Sequence, residues 1–188
     1  MKLPIEISAR HIHLCQKDLE KLFGREYQLS KLKDLTQRGY FASQETLTIK
    51  SEKAGIKNVR IVGPLRDYTQ VELCLTDAIF LGIEAPIRKS GNLDGTRGIL
   101  LIGPKGELQL EQGVIAPWRH IHINKDEAEK LGLKEDDLVS VRVEGERGLV
   151  FNNVMIRTDE NSPAVMHLDT DEGNACDITR KGEGDLIP

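Results

Sequence analysis

Arg10-His11-Ile12-His13 and Arg119-His120-Ile121-His122 are two copies of one tetrapeptide, and together they use four of the five histidines in the chain. The fifth, His167, stands between Met166 and Leu168. Histidine is the usual neutral nitrogen donor to a transition metal, so concentrating a scarce residue in two identical pairs points to two dedicated sites. Ile5-Glu6-Ile7-Ser8 and Val114-Ile115-Ala116, the apolar-rich stretches leading into the pairs, predict extended backbone. In a strand, residues i and i+2 project from one face, so each H-I-H turns its two imidazoles together while Ile12 or Ile121 enters the opposite layer. The alternative is a pair of exposed or hydrogen-bonded strand histidines.

The repetition continues past the histidines. Arg10–Leu22 (RHIHLCQKDLEKL) and Arg119–Leu131 (RHIHINKDEAEKL) align without a gap at seven identities in thirteen positions, the signal of an internal duplication. After each pair the pattern turns helical. Asn124 is an N-cap candidate with acidic residues in the following turn, and Gly24 and Gly132 are stop signals. The Glu and Lys residues of these helices read as a solvated face.

The length of 188 residues suits one two-lobed protein or two small domains. Strands are predicted over Thr46–Ile49, Val59–Val62, Gln70–Leu75, Gly98–Ile102, Leu108–Leu110, Leu138–Val143 and Gly148–Val154, separated by glycine-rich turns. Many short strands with few helices predict a mostly β fold of two related β-barrel domains with short capping helices, 1–112 and 113–188, joined near Gln112-Gly113, with exchange of a strand between them left open. The chain contains no stretch of about twenty apolar residues and no signal-like start, so a soluble, cytoplasmic protein is expected. Cys15, Cys74 and Cys176 are an odd set without C-x-x-C spacing and read as reduced thiols, Cys15 being two residues from His13. A net charge of −4 offers no global field for nucleic acid, so an anionic substrate must meet local basic residues.

Such residues are present. Lys50, Lys53, Lys57 and Arg60 form a basic stretch, and Arg66 follows the Gly63-Pro64 turn with a planar guanidinium suited to phosphate. Glu72 lies among Val71, Leu73 and Leu75, where a carboxylate is costly unless paired or metal-bound, which makes it a candidate third ligand. Periodicity alone favours the alternative, in which Glu72 sits with Gln70 and Cys74 on a solvent-facing side of that strand.

The motif S-x-R-H-x-H at Ser8–His13, G-P-L-R-x-x-T-Q-V-E at Gly63–Glu72, S-G-N-L at Ser90–Leu93, R-H-I-H at Arg119–His122, G-L-V-F-x-N-V at Gly148–Val154 and M-H-L-D-T-D-E-x-N-A at Met166–Ala175 together resemble the PduL-type phosphotransacylases, also called phosphate propanoyltransferases. The resemblance covers nearly the whole chain. It implies two β-barrels with two divalent ions, expected to be zinc, in a cleft between them, one held by His11, His13 and Glu72 and the other by His120, His122 and His167. It implies reversible transfer of an acetyl or propanoyl group between coenzyme A and inorganic phosphate, giving acyl phosphate. The first ion would receive the departing sulfur, while the second ion and Arg66, the expected catalytic and phosphate-binding residue, would hold phosphate. Coenzyme A would pass along Ile7, Ser8 and Ala9, with Lys53, Arg60 and Asn174 as further contacts, and a homodimer is expected. The amphipathic extension of members packaged into bacterial microcompartments is not visible before His11, which suggests a free cytoplasmic form.

Three other readings compete. A cupin-type metalloenzyme would use His120, His122 and Glu127, although Glu127 falls in a predicted helix. A binuclear thioester hydrolase would replace phosphate by water, and a non-catalytic, metal-stabilised module would bind coenzyme A or another anion without turnover.

Overall fold

A computed structural model of the chain describes residues 1–160 and 162–187. Among them the elements run β1 (Lys2–Ile7), β2 (His11–His13), α1 (Gln16–Phe23), β3 (Lys31–Asp34), β4 (Phe41–Lys50), β5 (Gly55–Gly63), β6 (Gln70–Glu72), α2 (Leu75–Leu81), β7 (Ile87–Arg88), β8 (Leu100–Ile102), β9 (Glu107–Gln109), β10 (Val114–Pro117), β11 (His120–Asn124), α3 (Lys125–Lys130), β12 (Leu138–Val143), β13 (Leu149–Asp159), β14 (Val165–Leu168), α4 (Thr170–Ala175) and β15 (Lys181–Ile187). The architecture is mostly β with short helices, as the sequence predicts. No helix among the described residues is long and apolar enough to cross a membrane.

The chain forms two compact units. One comprises residues 1–9, 36–38 and the described part of 118–188; the other comprises 10–35 and 39–117. In the first unit β1, β14, β11, β13, β12 and β15 close into a six-stranded barrel. Its interior is filled by Leu3, Ile5, Ile121, Ile123, Val141, Val154, Ile156, Met166 and Leu168, the inward members of alternating strands. In the second unit a nine-stranded sheet, ordered β7-β10-β6-β2-β5-β4-β8-β9 with β3 beside β4, curls into a half-barrel. Its core gathers Ile12, Leu47, Ile49, Val59, Ile61, Val71 and Leu101 under Leu19, Leu22 and Phe23 of α1.

Each tetrapeptide has the same neighbours. β2 runs parallel to β5 and antiparallel to β6; β11 runs parallel to β13 and antiparallel to β14. The strand leading into each tetrapeptide is hydrogen-bonded elsewhere. β1 pairs parallel with β14, in the unit built mainly from the C-terminal residues, and β10 pairs parallel with β6, in the unit built from residues 10–117.

Local chemistry explains the helices. Asn124 caps α3 by accepting from the Asp126 N–H at 2.9 Å. Asp169 and Glu172 form a reciprocal capping box at α4, the D-x-x-E signature preceding a helix that the predicted elements omitted. The expected strand Gln70–Leu75 ends at Glu72, because Cys74 takes the N-cap position of α2, Asp77 follows in its first turn, and Gly82 closes the helix in the left-handed conformation. β13 extends to Asp159, well past the predicted Val154, and β3, β7, β14 and β15 were not predicted at all. β3 and β15 are polar strands, and β7 is only two residues long.

Ile12 is wholly buried, whereas Leu32 in β3 is half exposed. Ile12→Ala should therefore cost about 2–5 kcal/mol in urea denaturation and Leu32→Ala less than about 0.5 kcal/mol. Similar losses from the two substitutions would contradict this assignment of the core.

Candidate metal centres

The alternation of β2 sends Ile12 into the core and both imidazoles to the other face, with the two Nε2 atoms 3.1 Å apart. β6 supplies the third donor by register. His11 pairs with Glu72 and His13 with Gln70, and directly opposed residues share a face. The Glu72 carboxylate lies 3.5 Å from His11 Nε2 through Oε2 and 3.7 Å from His13 Nε2 through Oε1. Glu72 is only 7% exposed and Gln70 is fully buried. The polar face of this strand is therefore closed to solvent, which rules out the solvent-facing alternative for Glu72.

β11 repeats the device. Ile121 is buried, His120 and His122 bring their Nε2 atoms to 3.2 Å, and His167 on β14 stands opposite His120 in the antiparallel register. The His167 ring centroid is 5.3 Å from each of the other two. In each trio the donor atoms lie within 4.8 Å of one another, and each trio belongs to one unit. Glu127, required by the cupin reading, lies on α3 and is not a member of either trio.

Both trios have donor sets that suit a divalent transition metal. Nδ1 of His13 donates to the Val62 carbonyl at 3.1 Å and Nδ1 of His120 to the Trp118 carbonyl at 2.8 Å. A carbonyl only accepts, so the proton is held on Nδ1 and the Nε2 lone pair faces the trio. Asp159 Oδ2 lies 3.6 Å from Nδ1 of His122, and Glu6 Oε2 lies 4.0 Å from Nε2 of His167. Glu6 is itself held by Lys181 and Thr36, each at 2.8 Å.

Burial pushes the His13 imidazolium well below its usual range, with repulsion from His11 and Arg66 adding to the effect. Burial does the same to His120, helped by His167, His122 and Arg157. His122 is brought down to about 3 by burial and by the charges of His167 and Arg157, against the opposing pull of Asp159. These imidazoles are neutral at pH 7, the form that ligates a metal.

Arg66 connects to the first trio through a short chain. Its guanidinium donates to Ser90 Oγ at 2.9 Å and lies over the Tyr40 and Tyr68 rings at 5.8 and 5.9 Å. Ser90 donates to Glu72 Oε1 at 3.2 Å, and Gln70 Nε2 donates to the same oxygen at 2.6 Å and to Ser90 Oγ at 2.8 Å. The Gly91 N–H fixes the Gln70 amide by donating to Oε1 at 2.8 Å. Ser90 and Gln70 stand in the motifs S-G-N-L and T-Q-V-E, but nothing local in the sequence assigns them a role. Gln70 shares the Glu72 face, but Ser90 reaches it only through tertiary folding.

The other expected site residues are distributed as follows. Ile7, Ser8, Ala9 and Asn174 lie in the barrel unit, where the Ser8 N–H donates to the Leu168 carbonyl at 2.8 Å and Ile7 packs where a side chain on Gly173 would otherwise stand. Lys53 and Arg60 lie in the half-barrel unit. Arg60 pairs with His11 in the β2–β5 register and donates to the Ser43 and Gln44 carbonyls, while Lys53 Nζ donates to the Ile79 carbonyl at 3.1 Å. Cys15 begins α1, and its backbone N–H donates to Thr69 Oγ1 at 3.1 Å.

An unfolded histidine takes up a proton near pH 6.5, whereas His122 resists protonation down to about 3. Between those values the unfolded chain binds more protons, so stability falls as pH falls through this window, by up to about 1.4 kcal/mol per unit for such a group. Denaturant titration of chelator-stripped protein between about pH 7 and about pH 4 should show this loss, with a shallower slope in His122→Gln. A profile unchanged by that substitution would contradict the neutral, buried state of His122.

The family model described as phosphate propanoyltransferase matches residues 4–179. The chain is 48% identical over 184 residues to the phosphate propanoyltransferase of Thermotoga maritima, covering 97% of this chain and 86% of that protein. It is 49% identical over 178 residues to that of Lachnoclostridium phytofermentans, covering 94% and 83%, and 49% identical over 175 residues to that of Salmonella typhimurium, covering 93% and 83%. With a matched model over most of its length and relatives at this level of identity, the chain belongs to the phosphate propanoyltransferase family.

Proposed function

We propose that this phosphate acyltransferase reversibly transfers a short acyl group, propanoyl or acetyl, between coenzyme A and inorganic phosphate, with divalent ions at both donor trios. The observation carrying this reading is the pair of three-donor clusters, each made by an H-x-H strand and a register-matched third donor, with Arg66 linked to one of them through Ser90. In the forward direction a phosphate oxygen forms a bond to the thioester carbonyl carbon, the carbon–sulfur bond breaks, and the sulfur leaves with the electron pair and takes a proton in solution.

His11, His13 and Glu72 would hold one ion and His120, His122 and His167 the other, zinc suiting three nitrogen and oxygen donors with an open position. When bound, such ions supply Lewis-acid stabilisation of the negative charge that develops on sulfur and oxygen. Arg66 binds phosphate with its planar donors, and the rings of Tyr40 and Tyr68 restrict its swing, so the anion is oriented before attack. Ser90 and Gln70 occupy Glu72 Oε1 and leave Oε2 directed at His11, holding the carboxylate in a ligating orientation. Ile7, Ser8, Ala9 and Asn174, with Lys53 and Arg60, are the proposed coenzyme A contacts, the basic pair meeting the cofactor's phosphates. The exposed apolar residues Leu75, Ile79 and Phe80 on α2 support a homodimer. Because acyl-coenzyme A is made and used inside cells, the cytoplasm is the proposed compartment.

Free thiol release from propanoyl- and acetyl-coenzyme A should require inorganic phosphate, and the ratio of kcat/KM values should identify the preferred acyl group. Release that ignores phosphate would indicate a hydrolase, and no release would indicate a binding module. Arg66→Ala should lower kcat/KM for phosphate by roughly 10- to 100-fold, the value of a charge-assisted hydrogen bond, with less effect on the KM for acyl-coenzyme A. Chelation should abolish turnover and added zinc restore it; full activity of the stripped protein would overturn the metal assignment.

A further inference from the structure

Two arginines stand immediately before the histidine pairs, and neither belongs to a donor trio. Arg10 donates through Nε to Asp77 Oδ2 and through NH2 to Asp77 Oδ1, both at 2.7 Å, a two-bond match of guanidinium and carboxylate. Arg119 donates through NH1 to Glu172 Oε1 at 2.8 Å and through Nε to the Asn152 carbonyl at 2.8 Å, with its guanidinium over the Phe151 ring.

The acceptors occupy equivalent places. Asp77 lies five residues after Glu72 and is the third residue of α2; Glu172 lies five residues after His167 and is the third residue of α4. In each unit the third-donor strand runs straight into the helix whose first turn the arginine grips. The differing chemistry of the two grips has a local cause. At α2 both Asp77 oxygens accept from Arg10. Glu172 gives Oε2 to the Asp169 N–H to close its capping box, leaving Oε1 for Arg119.

We propose that Arg10 and Arg119 are positioning residues for the two metal sites. Each ties the residue next to the first histidine of its pair to the helix that follows the third donor, and so holds that donor opposite the pair. The inference rests on the metal reading above. The pairings of β6 with β2 and β10 fix its register, and the partly buried ion pair at the start of α2 adds a side-chain tie just beyond the end of this three-residue strand. Groups that orient ligands in this way are worth roughly 10- to 100-fold in metal affinity.

The test is zinc release to a chromogenic chelator from zinc-loaded protein, with His13→Ala and His122→Ala assigning the release phase of each trio. Asp77→Asn should accelerate loss from the His11/His13/Glu72 trio about tenfold or more and leave the other phase unchanged, and Glu172→Gln should do the reverse. The visible spectrum of cobalt-substituted protein should change at the same single site. A general loss of stability would accelerate both phases together, and that result, or two unchanged phases, would overturn the proposal. Should Asp77→Asn not fold, Arg10→Lys keeps the charge without the paired donors and is read on the same phase. Wild-type protein that takes up zinc in two phases, each removed by its histidine variant, upholds the metal reading even where the clamp fails; wild-type protein that takes up none overturns both.

Discussion

The antiparallel pairing of a histidine strand with a third-donor strand is the contact on which the rest of the molecule depends. β2 against β6 and β11 against β14 are short ladders, yet each decides which residue faces the two imidazoles. A slip of one residue would turn Val71 or Met166 toward the imidazoles and place Glu72 or His167 in the core. Core packing enforces the register, because Ile12, Val71, Ile121 and Met166 are all essentially inaccessible to solvent. The apolar layer and the donor layer are opposite faces of the same strands, so the fold cannot be made without also assembling the donors.

The device occurs twice with different chemistry. In one unit the third donor is a carboxylate, steadied by Gln70 and Ser90; in the other it is a third imidazole, in a setting where burial, with repulsion from His167 and Arg157, keeps His122 neutral. The strand leading into each copy joins the unit that does not contain that copy's histidines, β1 pairing with β14 and β10 with β6. Each third-donor strand is thereby flanked on both sides, by its histidine strand and by an incoming parallel strand. That double pairing removes an open edge at the position of the third donor.

For a phosphate acyltransferase this rigidity serves catalysis. Moving an acyl group between sulfur and a phosphate oxygen needs charge stabilised at two places and little covalent participation from the protein, so most of the gain comes from preorganised donors and orientation. The chain from Arg66 through Ser90 to Glu72 links the guanidinium proposed to bind phosphate to one proposed metal site through two hydrogen bonds. Ser90 uses its one proton and both lone pairs within this network.

The repeated H-I-H spacing by itself determined that two imidazoles would share a face in each half, because a strand has a period of two wherever it is placed. The pattern after each pair also marked α1 and α3, through the Asn124 cap and the stops at Gly24 and Gly132, and the order of motifs carried the family. Glu72 was ambiguous in the sequence, since alternation tells which residues share a face but not whether that face meets water. Only tertiary structure closed that face, opposed Glu72 to His11 and His167 to His120, and brought Ser90 to Arg66, because these are pairings between segments far apart in the chain. The helices α2 and α4 were legible in hindsight from Gly82 and from the Asp169–Glu172 box, but α2 follows the buried strand β6 with no glycine or proline between them, and β15 is polar enough to resemble a loop. Their assignment is decided by packing and hydrogen bonding across the fold, which a one-dimensional pattern does not contain.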